Sequence, residues 1–140
     1  NGCNPAWDGK GGSLRIMWYQ NNQNRVYFHP YVYFKDMPGT CGHNFAKSHP
    51  ETGNLETDRW YTVYMYFKSN TGTSANGKAI IKINNQVMLD ETIRWTTDDT
   101  KSKVTGIYFH TFRGGSEAHW QSESDGYVYY RNLKWKRLAN

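Results

Sequence analysis

The chain is short of most of what would place it in a helical, membrane-spanning or metal-binding class. Its two cysteines, Cys3 and Cys41, are too few for a metal site by themselves and lack CxxC spacing. They leave open a single disulfide or two separate thiols; a disulfide would suit a secreted domain. Leucine and alanine, the strong helix formers, are scarce, and proline occurs only 4 times in 140 residues. No apolar run approaches the ~18 residues of a membrane span, and the mean hydropathy is −0.88. The loop histidines His43, His49 and His119 share no metal-ligand spacing. Asp98-Asp99, or Glu123 with Asp125, are acidic enough for Ca²⁺, but exposed acidic loops ordinarily stay solvated. No metal or other cofactor is expected. RGGS at 113–116 has no helix after it, so it is not read as a phosphate cradle. Acidic side chains are outnumbered, 12 against 17 Lys and Arg, giving a net charge of +5 and a pI of about 9.2. That excess favours an acidic partner, but no nucleic-acid-binding motif accompanies it.

What is present is aromatic and β-prone. Aromatics make up 16% of the chain, with 11 Tyr and 6 Trp, beside 13 Gly. Tyr, Trp, Val, Ile and Thr fit pleated, half-buried surfaces, so the expected class is all-β, in one domain over residues 1–140. Alternation and turn residues predict strands at roughly 13–19, 25–34, 41–47, 59–68, 78–83, 86–91, 103–112 and 126–137. QNNQN at 20–24 and Asn84-Asn85 supply residues that tolerate positive φ in tight turns. Antiparallel strands without helices imply a two-sheet sandwich or jelly roll. The same alternation gives several strands an aliphatic face and a face of Tyr, His, Arg and Ser. Ser13, Arg15 and Tyr19 share one such face, as do Tyr27 and His29. Tyr64 stands on the polar face of its strand, and Tyr108 and His110 on theirs. Such a face suits a groove for a sugar chain, in which rings stack on sugars and cations meet acidic groups; it equally suits a second packed layer or an interface. Trp120, in the polar loop 113–125, is a candidate stacking residue or a loop anchor.

These segments resemble polysaccharide lyase family 14, which includes alginate lyases and related polyuronate lyases. SLRIMWY and VYFHPYVY are similar to the family's S-x-R-[LI]-M-W strand and Y-x-Y strand. DRWYTVYMYFKSNT, NGKAIIKINNQVMLD, GIYFHTFRGGS and GYVYYRNLKW resemble its later segments, in order along almost the whole chain. The resemblance implies an antiparallel β-jelly roll, a concanavalin-like sandwich, and metal-independent β-elimination from an acidic polysaccharide. On it, Arg15 neutralises the uronate carboxylate, Ser13 orients it, and Tyr27 transfers protons. His29 stands where the family has its second Tyr, and imidazole also exchanges protons near neutral pH. Tyr19, Tyr64, Tyr108, His110 and Trp120 are the expected substrate contacts. The family's lysine precedes S-x-R by some twenty residues and has no counterpart here, since Lys10 lies too near Ser13. The expectation is that amino-terminal strands of the family domain are missing, removed or supplied by a companion chain. A non-catalytic carbohydrate-binding or structural domain on the same scaffold is the alternative.

Overall fold

The computed structural model describes residues 3–97, 104–114 and 117–138. They fall into two compact units, one ending at Ile107 and one beginning at Tyr108. The first unit holds five strands: β1 (Ser13–Gln20), β2 (Val26–Tyr33), β3 (Val63–Lys68), β4 (Gly77–Ile83) and β5 (Gln86–Ile93). β1 and β2 form one antiparallel sheet, and β3, β4 and β5 form another in that order. No α-helix occurs among the described residues; a single 3₁₀ turn spans Ala118–Trp120. The expected all-β class with two antiparallel sheets is the class observed.

Turn chemistry sets both hairpins. Between β1 and β2, the Asn21 side-chain oxygen accepts from the amides of Gln23 and Arg25, both at 3.0 Å, and Asn24 adopts φ 61°. Between β4 and β5, Asn84 and Asn85 adopt φ 49° and 66°, the left-handed pair a two-residue hairpin needs. Asn84 also exchanges two 2.8 Å hydrogen bonds with the Thr62 backbone, which ties this turn to the entry of β3.

Burial follows the pleat. Along β4, Gly77, Ala79, Ile81 and Ile83 are buried while Lys78, Ile80 and Lys82 are not. Ile81, Ile83 and Leu89 meet Val32 of β2 in a core common to both sheets, so each sheet turns its other face outward. Each such aliphatic side chain contributes about 1.5–3 kcal/mol by leaving water. Trp95 closes the core beyond β5: it stacks on Phe67 at 3.9 Å and donates through Nε1 to the Lys68 carbonyl. Buried Asn70 holds the Trp95 backbone in place. Its side-chain oxygen accepts from the Trp95 and Thr96 amides, and its nitrogen donates to the Gly72 and Thr96 carbonyls.

The question of the cysteines is answered: Cys3 and Cys41 are joined, across a sequence separation of 38. Closing a loop of that length stabilises the fold by about 4 kcal/mol on the chain-entropy account.

Three expected strands are corrected. Segment 41–47 is reduced to one bridge, His43 to Val32. Segments 103–112 and 126–137, described from residue 104, carry no strand, and Ile107, Tyr108, Phe112, Tyr129 and Trp135 stand exposed. Alternation states which face a strand would bury, but a neighbour's hydrogen-bonded edge is what makes the strand. Those segments have no ladder partner among the described residues.

Candidate active site

The outward face of the β1–β2 hairpin concentrates the polar chemistry. Register pairs Ser13 with Tyr33, Arg15 with Tyr31, Met17 with His29, and Tyr19 with Tyr27. All eight therefore share one face, opposite Leu14, Ile16, Phe28 and Val32. The aromatic rings form a continuous row. Centroid separations run 5.9 Å from Tyr19 to Tyr27, 6.0 Å from Tyr27 to His29, 6.4 Å from His29 to Tyr31, and 5.5 Å from Tyr31 to Tyr33.

Arginines mark the two ends of the row. At one end the Arg15 guanidinium lies 5.4 Å from the Tyr31 ring and 5.0 Å from the Tyr33 ring, and donates to Ser13 Oγ at 3.2 Å. It has no carboxylate in ion-pair range among the described residues. The Tyr31 and Tyr33 hydroxyls lie 3.3 Å apart and hydrogen-bond. At the other end Arg25 covers the Tyr27 ring at 4.4 Å. Its donors are committed to Ser48 Oγ and to the carbonyls of Pro50, Glu51 and Gly53, so it anchors loop 48–54 instead of facing a ligand.

Protonation states follow from burial and partners. His29 is buried, which pushes its imidazole below the usual histidine range, partly offset by the Pro30 carbonyl. That carbonyl, 2.7 Å from Nδ1, can only accept, so the neutral ring carries its proton on Nδ1 and keeps a lone pair on Nε2. Burial pushes the Tyr33 phenol up, and the Tyr31 hydrogen bond adds to that. A hydrogen bond from the Gly42 backbone and the charge of Arg15 pull it partly back.

Of the expected site residues, Ser13 and Arg15 come together at one end, and Tyr19, Tyr27 and His29 adjoin one another along the row. Tyr27 is four residues from Tyr31 on the same strand, about 13 Å along it, so Arg15 faces Tyr31 instead. Tyr64 is not part of this face: it stands outward on the other sheet, with the Lys82 ammonium 5.7 Å from its ring. Tyr108, His110 and Trp120 belong to the second unit. There the Tyr108 and His110 rings lie 5.9 Å apart, and the Trp120 carbonyl accepts from Arg113 Nε at 3.0 Å. Asp98-Asp99 and the last two residues of RGGS lie outside the described residues.

Tyr31 and Tyr33 stand on the same face beside Arg15, and sequence reading did not single them out. The strand expected over 25–34 runs through Pro30 to both, although proline is rare inside a paired strand. The structure shows why the proline is tolerated. On the far edge of β2, Phe28 and Val32 exchange backbone hydrogen bonds with His49 and His43. Pro30 falls between those two bridges, where no donor is required.

The polysaccharide lyase 14 family model matches residues 2–133. No curated protein matches at a significant level. Among solved structures, the chain is similar to the alginate lyase Aly36B, at 50% identity and a TM-score of 0.84 over 86% of this chain. The same likeness holds for a lysine–tyrosine double mutant of Aly36B in complex with an alginate tetrasaccharide. It holds again for a lysine–methionine double mutant with a trisaccharide. This chain spans about half the length of those proteins, 50%. The likeness bears out the antiparallel two-sheet jelly roll.

Proposed function

The chain belongs to polysaccharide lyase family 14, and from that premise we propose that it cleaves a polyuronate, of the alginate or glucuronan type, by β-elimination. Arg15, flanked by Ser13, receives the C6 carboxylate, and neutralising that charge acidifies the proton on C5. His29, neutral with its lone pair on Nε2, takes that proton. The C4–O4 bond breaks as the C4=C5 double bond forms, and the Tyr31–Tyr33 pair delivers a proton to O4. The proton gained by His29 then returns to the phenol pair, which restores both groups. Proton delivery thus moves from Tyr27 to Tyr31 and Tyr33, because among the described residues these are the rings beside the guanidinium. Tyr27 and Tyr19 offer stacking faces to sugars farther along the row. The disulfide supports placing the protein in an oxidising, extracellular setting.

The observation that carries this reading is the Arg15 guanidinium, without a carboxylate partner among the described residues, set over two hydrogen-bonded phenols. The test is ultraviolet absorbance from unsaturated ends on alginate, polymannuronate, polyguluronate and glucuronan. Tyr31→Phe and Tyr33→Phe are expected to lower kcat by about 10²–10⁴-fold, whereas Tyr27→Phe should raise KM and spare kcat. A flat signal on all four polymers, with retained binding to one, would replace the lyase by a non-catalytic binding domain.

A further inference from the structure

Tyr31 and Tyr33 are set in place by a segment that lies outside both strands. Gly42 carries no left-handed φ, so backbone freedom does not explain a glycine there. Space does. A Cβ at this position would stand 2.6 Å from Tyr31 Cδ1 and 2.7 Å from Cε1 and Cγ, closer than carbon atoms approach. The glycine backbone is therefore pressed against the Tyr31 ring, whose hydroxyl hydrogen-bonds that of Tyr33. On one side of Gly42, Cys41 is joined to Cys3, whose Sγ lies 3.8 Å from the Tyr31 hydroxyl. On the other side, His43 exchanges two backbone hydrogen bonds with Val32, the residue between the two tyrosines. The segment is thus pinned before and after the residue that packs on the Tyr31 ring.

We infer that Gly42, held by the Cys3–Cys41 disulfide and the His43–Val32 bridge, is a positioning residue that fixes the Tyr31–Tyr33 pair beside Arg15. The inference rests on the lyase reading for its catalytic consequence, and on contacts alone for its structural one. A misplacement of about 1 Å at a reacting group costs about 10²-fold in rate, so a side chain at Gly42 should act chiefly on kcat.

The experiment is a double-mutant cycle on the protein that carries this chain, with Gly42→Ala, Tyr31→Phe and their combination. Gly39→Ala serves as control, since a Cβ at Gly39 meets nothing within 4 Å. Gly42→Ala should lower kcat by about 10–100-fold with little change in KM, while Gly39→Ala should match the parent. In the Tyr31→Phe background, Gly42→Ala should cost far less than in the parent, because the group it misplaces has already lost its hydroxyl. An equal loss in both backgrounds, or no loss in the parent, overturns the inference. Should Gly42→Ala fail to fold, the pair Cys3→Ser and Cys41→Ser is put through the same cycle with the same outcomes. If Tyr31→Phe keeps full activity, the proton-delivery role of Tyr31 falls, and if the parent itself cleaves none of the polymers, it is the lyase assignment that falls. The clamp is then judged by the NMR ring signals of Tyr31, which must move in Gly42→Ala if it holds.

Discussion

Asn70 offers a strong test of how the fold is held, because four hydrogen bonds converge on one side chain that is 3% exposed. Its oxygen accepts from the Trp95 amide at 2.9 Å and the Thr96 amide at 3.1 Å. Its nitrogen donates to the Gly72 carbonyl at 2.8 Å and the Thr96 carbonyl at 3.0 Å. In Asn70→Ala, two buried amides lose these acceptors, at about 1–3 kcal/mol each, or about 2–6 kcal/mol in total. Trp95, 1% exposed and stacked on Phe67, would lose its backbone anchor with them. Asn70→Asp separates the two halves of the network. It keeps an acceptor for both amides but turns an oxygen toward two carbonyls, so it should be the worse substitution at neutral pH. Protonating that carboxyl restores a donor, so the gap between Asp and Asn should narrow as pH falls. The assay is urea unfolding, read as a fall in midpoint at constant m-value. A loss below about 0.5 kcal/mol in Asn70→Ala, the ordinary range of surface substitutions, would refute the reasoning.

Two further outcomes are expected. His29 and His49 are both held below the usual histidine range by burial, so the folded state binds fewer protons than the unfolded chain. Their contribution to stability is therefore present above pH ~6.5 and is lost as pH falls through the folded-state pKa values; urea midpoints at pH 7.5 and 5.5 should show the drop, and His29→Gln with His49→Gln should shrink it. Arg25→Ala removes the donors that bind Ser48, Pro50, Glu51 and Gly53 and uncovers Tyr27. It should cost about 1–3 kcal/mol and speed amide hydrogen exchange in residues 48–54; unchanged exchange there would show that the loop is held by something else.

Much of this was legible in the sequence, and the reasons are physical. Alternation in SLRIMWY placed Ser13, Arg15 and Tyr19 on one face and Leu14 and Ile16 on the other, as the register has it, because side-chain period depends only on the local pleat. Asn84-Asn85 marked its turn because few residues accept positive φ. Register was not legible, since it arises from which residues face each other across the β1–β2 turn; the proton-transfer role was expected of Tyr27, and the ring paired with Arg15 is Tyr31. The proline in VYFHPYVY sits inside the strand expected over 25–34 and is tolerated for a reason only the far edge of β2 reveals. Tyr64 alternated correctly within its strand, yet strand-level reasoning could not say which sheet that strand would join. The clamp at Gly42 was likewise invisible, because it joins residues separated by a fold, not by a pattern.

The register of the β1–β2 hairpin also bears on how such a site could be retuned. β2 presents Tyr27, His29, Tyr31 and Tyr33 at every second position, like teeth of one rack, and the turn at 21–25 decides which tooth meets Arg15. A slip of one place would turn the whole row into the core and destroy the fold's patterning. A slip of two would keep every ring on the same face and set His29 or Tyr33 opposite the guanidinium. Changes confined to a polar surface turn could therefore exchange a phenol for an imidazole beside Arg15 while every strand residue stays the same.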